Sequence, residues 1–246
     1  MTGFDAHAGG EKKRDYWWTV LFTDPLAIPL ARFLAKRRLL TPDQVTILWL
    51  LLGISVGFFF ATGERWGLIV GGLAFYAAFV TDCVDGKLAR ALGVSSERGK
   101  ALDALADGAR RASATLGLFL FFWNYEFLSF QGDVVDGAVD LVPVDDVMLF
   151  QELGLLLTTI YAVLAYYFLE ISGADKDPAS GGVRGKWSQA LAQRRLLPNP
   201  GMPDVQAIVF IIGPITGFVV PALWVGLAMV TVAILLTVRR RLKTPA

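Results

Sequence analysis

The chain has 246 residues, of which 54% are hydrophobic, and its formal net charge is +1. Its mean hydropathy of +0.52 is too high for an ordinary soluble domain and favours an integral membrane protein. The net charge says nothing about nucleic acid, but the sequence has no basic stripe with interleaved aromatic residues, so no nucleic-acid partner is expected. The single cysteine, Cys83, excludes an intrachain disulfide.

The first 40 residues divide into two segments of different composition. Residues 1–24 are predicted to form a polar cytoplasmic tail. Residues 25–40 alternate apolar positions with Arg32 and the basic cluster Lys36–Arg38, a pattern typical of an amphipathic helix in the membrane interface. This helix is expected to open a membrane domain that covers residues 25–246.

Uncharged runs in the rest of the chain predict an all-α integral membrane protein with six transmembrane helices. The last uncharged run, Val205 to Val238, is far too long for one crossing of a ~30 Å hydrocarbon core. We therefore expect a break near Gly217–Pro221 that divides it into two short spans. The six spans are expected at about residues 41–62, 66–85, 99–125, 147–172, 204–219 and 221–238.

Lysine and arginine are concentrated in alternate loops. They cluster before the first span, between spans two and three, between spans four and five, and after span six. Residues 126–150, between spans three and four, contain six acidic residues and neither lysine nor arginine. Because basic residues accumulate on the cytoplasmic side of a membrane, both termini and the loop between spans two and three are predicted to be cytoplasmic.

That cytoplasmic loop is flanked by two pairs of aspartates, Asp82/Asp85 and Asp103/Asp107. Residues three or four apart share one face of a helix, so each pair can present two oxygen ligands in one direction. A carboxylate next to membrane hydrocarbon is energetically unfavourable unless its charge is neutralised, and a bound divalent cation commonly does this. Gly86 and Gly99 leave room near the acids, and Arg90 supplies a cation for phosphate oxygens. The sequence therefore predicts a metal–pyrophosphate site at the membrane edge.

The same residues form the pattern D-x2-D-G-x2-A-R-x8-G-x3-D-x3-D. Its eight fixed positions are all present, as Asp82, Asp85, Gly86, Ala89, Arg90, Gly99, Asp103 and Asp107. This pattern resembles the signature of the CDP-alcohol phosphotransferase (CDP-alcohol phosphatidyltransferase) family. The resemblance implies a membrane enzyme that transfers a substituted phosphate from a CDP-linked donor to an acceptor alcohol and releases CMP.

The resemblance also implies a role for each residue of the site. Asp82, Asp85 and Asp103 would bind Mg²⁺ or Mn²⁺, with two ions expected and Asp107 sharing the second. Asp107 would also be the general base toward the acceptor hydroxyl. The nucleotide and its phosphates would contact Gly86, Ala89, Arg90, Gly99 and Asp43. For Asp43, a role as a helix N-cap or first-turn acid is an equally good interpretation.

The substrates are less well defined by the sequence. Phosphatidyl transfer from CDP-diacylglycerol in phospholipid biosynthesis is the expected reaction, and transfer of a polar phospho-alcohol from a CDP-alcohol to a lipid hydroxyl is the alternative. Four basic residues are candidates for binding the acceptor, namely Arg184, Lys186, Arg194 and Arg195. A simpler interpretation is that these four residues determine the membrane topology and bind anionic lipid headgroups. By resemblance, the protein is also expected to be a homodimer.

Two other classes of function use paired acids. An intramembrane prenyltransferase would need more spans and two acidic motifs far apart in the sequence, whereas both pairs here fall within residues 82–107. A divalent-cation carrier would need acids near the middle of the membrane, and the uncharged runs of spans four to six, residues 153–169 and 205–238, contain none.

Overall fold

The computed structural model describes residues 14–94, 96–130, 147–172 and 186–243, and this part of the chain forms eight helices. They are α1 (Asp24–Arg37), α2 (Pro42–Phe60), α3 (Arg65–Leu92), α4 (Glu97–Phe130), α5 (Val147–Ser172), α6 (Lys186–Gln193), α7 (Met202–Thr216) and α8 (Val219–Lys243). A π-helical turn, Thr19–Thr23, precedes α1, and another, Ile208–Ile212, lies within α7. The all-α prediction is confirmed for the described residues.

Four of these helices are long and apolar enough to cross a membrane: α2, α3, α5 and α8. The other two expected spans fall on α4 and α7. The N-terminal part of α4 carries several charged residues, and α7 is a shorter apolar helix. The helix containing the second span runs through Leu92, past the expected end at residue 85, so the first aspartate pair lies within a continuous helix.

The expected break in the last apolar run lies between α7 and α8. Gly217 adopts φ 86°, a left-handed conformation that glycine accepts without steric cost and that ends α7. Arg65, at the start of α3, donates to the carbonyl oxygens of Pro214 and Ile215, both at 2.5 Å. These bonds satisfy carbonyl groups that a helix end leaves unpaired.

The start of α2 is fixed by its sequence. Thr41 and Gln44 form a capping box, in which Gln44 N donates to Thr41 Oγ1 at 3.3 Å and Thr41 N donates to Gln44 Oε1 at 2.9 Å. Pro42 occupies the first helical turn, where a missing N–H costs nothing. Asp43 is therefore a first-turn acid and not the N-cap, which settles that part of the sequence interpretation.

Helix α2 packs along both α3 and α4. Its contact with α4 depends on glycine, because a Cβ at Gly57 would lie 2.5 Å from the carbonyl oxygen of Ser113, and one at Gly117 would lie 2.6 Å from Gly57 Cα. The Ser113 hydroxyl also donates to Ile54 O at 2.7 Å. The close approach brings the N-terminal half of α4 against α2, beside the aspartates of α3.

Two apolar clusters hold the helices together. The larger joins α2, α3, α4, α5, α7 and α8 around buried aromatic residues such as Phe75, Phe122 and Phe210. The smaller packs α1 on α2 and α3 through Ala27, Val45 and other small or branched residues. The aspartate pairs lie near the smaller cluster, at the end of α3 that α1 covers.

The segment before α1 differs from the polar tail expected over residues 1–24. Residues 1–13 lie outside the described part of the chain, but from Trp17 onward the segment is helical, and Thr23 and Asp24 are buried.

Asp15 forms an isolated parallel bridge with Leu196, and Trp18 N donates to Asp204 Oδ1 at 2.6 Å. Tyr16 packs beside Gly201, and burial raises the pKa of its phenol. The segment is thus anchored to the start of α7.

Candidate metal and nucleotide site

Three of the four predicted metal ligands lie together. One carboxylate oxygen each from Asp82 and Asp85 on α3 and from Asp103 on α4 all lie within 4.8 Å of one another. Asp85 is buried, Asp82 is half-buried and Asp103 is exposed, so the group opens toward one side. Three converging carboxylates are the hard oxygen donors that Mg²⁺ and Mn²⁺ prefer, and their spacing fits such an ion. We refer to Asp82, Asp85 and Asp103 as the carboxylate cluster.

Asp85 is held in place by two donors from α2. Thr46 Oγ1 donates to Asp85 Oδ2 at 2.6 Å, and Trp49 Nε1 donates to the same oxygen at 2.7 Å. Both side chains are buried. The sequence analysis missed them, although polar atoms three residues apart within an apolar span are a signal that could have found them. Together they fix the orientation of the carboxylate.

Asp107, the fourth predicted ligand and the candidate base, is paired differently. Arg110 Nη2 lies 2.6 Å from Asp107 Oδ1, and Arg111 Nη1 lies 2.5 Å from Oδ2. Both of its oxygens are thus engaged by guanidinium groups one turn farther along α4. The structure brings the carboxylate cluster together and places Asp107 beside it, between two arginines.

Arg110 was also missed by the sequence analysis, although arginine three residues after an aspartate on a helix predicts an ion pair. Its side chain is 3% exposed, and its Nη2 atom lies 3.6 Å from Asp82 Oδ2 as well as bonding Asp107. The guanidinium carbon lies 5.3, 5.2 and 4.9 Å from the ring centres of Trp49, Phe75 and Phe79. These rings form an aromatic surround that favours a cation.

A cleft of about 940 Å³ opens next to the carboxylate cluster. Its walls include Asp85 and Asp103 together with every residue predicted to contact the nucleotide and phosphates, which are Asp43, Gly86, Ala89, Arg90 and Gly99. The sequence analysis did not anticipate several other polar lining residues, namely Arg38, Thr41, Gln44, Ser96 and Lys100.

The two predicted glycines line the cleft where its walls come close. A Cβ at Gly86 would lie 3.4 Å from Nη1 of Arg90, so the guanidinium lies over this part of α3. A Cβ at Gly99 would lie 3.3 Å from Asp43 Oδ1, which brings the first turns of α2 and α4 together. The Arg90 guanidinium thus lies over a position of α3 that has no side chain, and this arrangement can accommodate a phosphate group.

The sequence profile described as CDP-alcohol phosphatidyltransferase matches residues 39–169, just over half of the chain. The chain belongs to the CDP-alcohol phosphatidyltransferase family. The matched residues extend from before α2 to near the end of α5 and include both aspartate pairs and every residue found to line the cleft except Arg38. Membership makes the protein a transferase. Among curated proteins, no match to the chain is found.

Of the basic residues predicted to bind the acceptor of this CDP-alcohol phosphatidyltransferase, the two whose side chains the structure describes, Arg194 and Arg195, do not line the cleft. Arg184 lies outside the described residues, and Lys186 begins α6. Arg194 is exposed, and Arg195 Nη2 lies 3.3 Å from Oδ2 of the buried Asp24. Asp24 also pairs with Lys87 Nζ at 2.7 Å. Arg195 therefore ties the segment after α6 to the start of α1.

Proposed function

We propose that this transferase moves a phosphatidyl group from CDP-diacylglycerol to an acceptor alcohol and releases CMP, with Mg²⁺ or Mn²⁺ as cofactor. The observation that supports this proposal is that the carboxylate cluster lies beside a cleft, which two of its members, Asp85 and Asp103, line together with Arg90 and Gly86. A cation site and a phosphate-binding cation at one cleft suit a diphosphate substrate, because the diphosphate carries charge that both can neutralise.

Asp82, Asp85 and Asp103 would hold the metal, which, when bound, would stabilise negative charge on the diphosphate. Arg90 and Lys100, which line the cleft, would pair with phosphate oxygens and orient the donor. The absence of a side chain at Gly86 would let the cytidine diphosphate lie against α3. Asp43 would face the nucleotide from the first turn of α2.

Asp107 would accept the proton of the acceptor hydroxyl. Two arginines fix the direction of its carboxylate, which is what a general base needs before the alcohol arrives. Part of this pairing must loosen as the proton is taken up, because a protonated carboxyl attracts a guanidinium less strongly.

Charge balance within the chain accounts for one divalent ion. Asp107 and its two arginines carry a formal charge of plus one, and the carboxylate cluster carries minus three, so a single divalent ion already cancels the excess. A second ion would be compensated by the anionic diphosphate, and we propose that it is bound together with the donor.

In the membrane, we propose six spans, with α4 and α7 joining the four long apolar helices, and α1 in the cytoplasmic interface. The exposed side of α1 supports this placement because it carries apolar residues such as Leu26 and Phe33 beside Arg32 and Lys36. Both termini and the cleft would be cytoplasmic. Labelling of a single cysteine at position 137, outside the described residues, in a variant lacking Cys83 tests this topology, and reaction only from the cytoplasmic side would contradict it.

The family also leads us to propose a homodimer, although not through the glycines of the spans. Gly71, Gly72 and Gly226 receive Phe60, Ile215 and Val209 of the same chain, so these small residues serve the fold of one protomer. Native mass spectrometry from mild detergent would test the proposal, and a monomeric mass would count against it.

The deciding experiment is an assay of the purified protein with CDP-diacylglycerol, Mg²⁺ and a panel of alcohols. Mass spectrometry should identify CMP and a new phospholipid in the same reaction, and Asp85→Asn serves as the inactive control. Release of CMP only from a CDP-alcohol in the presence of a lipid hydroxyl would favour the alternative direction of transfer. No release of CMP from any CDP-linked donor would refute the proposed activity.

A further inference from the structure

Burial of the Arg110 guanidinium inside this helical bundle has a high free-energy cost. Its side chain is 3% exposed, and among the described residues its Nε and Nη1 atoms have no hydrogen-bond partner. A buried guanidinium with unpaired donors loses hydration that its ion pair and ring contacts only partly replace. An apolar side chain of similar length would fill the same space without this desolvation cost. The stability of the folded protein alone therefore does not explain why an arginine occupies this position.

Arg110 lies between one of the predicted metal ligands, Asp82, and the candidate base, Asp107. Its Nη2 atom lies 2.6 Å from Asp107 Oδ1 and 3.6 Å from Asp82 Oδ2, so one nitrogen spans the gap between the two carboxylates. The aromatic surround of Trp49, Phe75 and Phe79 limits where the guanidinium can move. Arg111, by contrast, engages Asp107 through the other oxygen and is 27% exposed, nearer to solvent.

We infer that Arg110 is a positioning residue that acts as the resident counter-ion of the carboxylate cluster, weakening its affinity for divalent metal while it holds Asp107 in the orientation of a base. The part concerning Asp107 rests on the proposed function, and the part concerning metal does not. The arginine compensates the acids when no metal is bound. It repels an incoming cation, which keeps metal binding reversible.

The expected effect on metal binding is large enough to measure. A unit charge about 6 Å from a divalent ion changes its affinity about tenfold even at the permittivity of water, and more in a partly buried site. Removing the charge with Arg110→Met should therefore tighten Mn²⁺ binding by about tenfold or more. The same variant should have a lower kcat, because Asp107 loses one of the two guanidinium groups that orient it.

Mn²⁺ binding to the full-length protein in detergent, measured by electron paramagnetic resonance without any nucleotide, is the primary test. Arg111→Met is the matched control, since it removes a charge that also pairs with Asp107 but lies nearer to solvent. Its Mn²⁺ affinity should change clearly less than that of Arg110→Met. Arg110→Lys should restore Mn²⁺ affinity to within about threefold of the unmodified protein, because it restores the charge. It should restore kcat only in part, because an ammonium group cannot reproduce the planar fork of donors.

Opposite changes in metal affinity and kcat are the signature of a counter-ion, because a residue that merely supports the fold would weaken both. Unchanged or weaker Mn²⁺ binding in a folded Arg110→Met variant would overturn the inference. If that variant fails to fold, Arg110→Gln also removes the charge and carries the same test. If no donor supports turnover in the unmodified protein, the proposed function fails, and the Mn²⁺ measurement still decides the role of Arg110.

Discussion

The hydrogen bond from Thr46 to Asp85 offers a direct test of how the metal site is organised. Thr46→Val keeps the shape of the side chain and removes the hydroxyl that donates to Asp85 Oδ2 at 2.6 Å. Trp49 would then be the remaining donor from α2 to that oxygen, at 2.7 Å. We expect the variant to fold, because valine fits the buried position in α2.

The size of the effect follows from the kind of bond that is lost. A hydrogen bond to a charged group contributes about 1.5–3 kcal/mol, which corresponds to about a 10- to 100-fold change in an equilibrium constant. A donor that orients a metal ligand has an effect of the same order on metal affinity. The dissociation constant for Mn²⁺ should therefore rise by about 10- to 100-fold, and the Mg²⁺ concentration needed for half-maximal turnover should rise with it.

A matched control separates this bond from the general loss of a hydroxyl. Thr46 Oγ1 also lies 3.1 Å from Pro42 O, and Thr237 in α8 makes the equivalent bond to its own helix, to Ala233 O at 2.8 Å. Thr237→Val should leave Mn²⁺ affinity unchanged. If Thr46→Val binds Mn²⁺ within twofold of the unmodified protein, Asp85 does not depend on this donor and the reasoning is refuted.

Three further predictions concern the carboxylates and the cleft. Asp82→Asn and Asp85→Asn should lose both metal binding and turnover, and undiminished CMP release in excess EDTA would contradict a metal-dependent reaction. Gly86→Ala should fold normally, since its Cβ meets only a flexible guanidinium at 3.4 Å, but should raise the KM for the donor about tenfold. The control Gly108→Ala, whose Cβ meets no atom within 4 Å, should not raise it. Asp107→Asn should keep most of the donor affinity by calorimetry while turnover falls about 10²- to 10⁴-fold, whereas Asp82→Asn should weaken donor binding as well. An equal loss of donor affinity in the two variants would reduce Asp107 to another metal ligand and leave the base unidentified.

The parts of the site that local spacing controls could be predicted from the sequence. Asp82 and Asp85 are three residues apart on one helix, and helical geometry alone places them on one face. The second pair lies a short loop later, so Asp103 returns to the same end of the bundle. Gly86 and Arg90 follow within the same helix and therefore line the same wall.

Other features depend on contacts between distant segments and were beyond sequence reasoning. The donors to Asp85 come from residues 39 and 36 positions earlier in the chain, and only the packing of α2 against α3 brings them close. The anchoring of residues 15–18 to residues 195–204 depends on backbone bonds that composition does not reveal, which is why this segment was taken for a polar tail. The ion pairs of Arg110 and Arg111 could have been predicted, because these residues follow Asp107 by three and four positions on one helix.

The arrangement of charge explains how acids can lie at the edge of an apolar bundle before any ligand arrives. Asp85 has two neutral donors, Asp107 has two guanidinium groups, and Asp24 is paired with Lys87 and Arg195. These hydrogen bonds and ion pairs lower the cost of removing each carboxylate from water. Neutral donors leave the charge of Asp85 in place, so negative charge is concentrated where Asp82, Asp85 and Asp103 converge beside the cleft. A divalent cation is attracted there, and the rest of the network keeps the ligands in place to receive it.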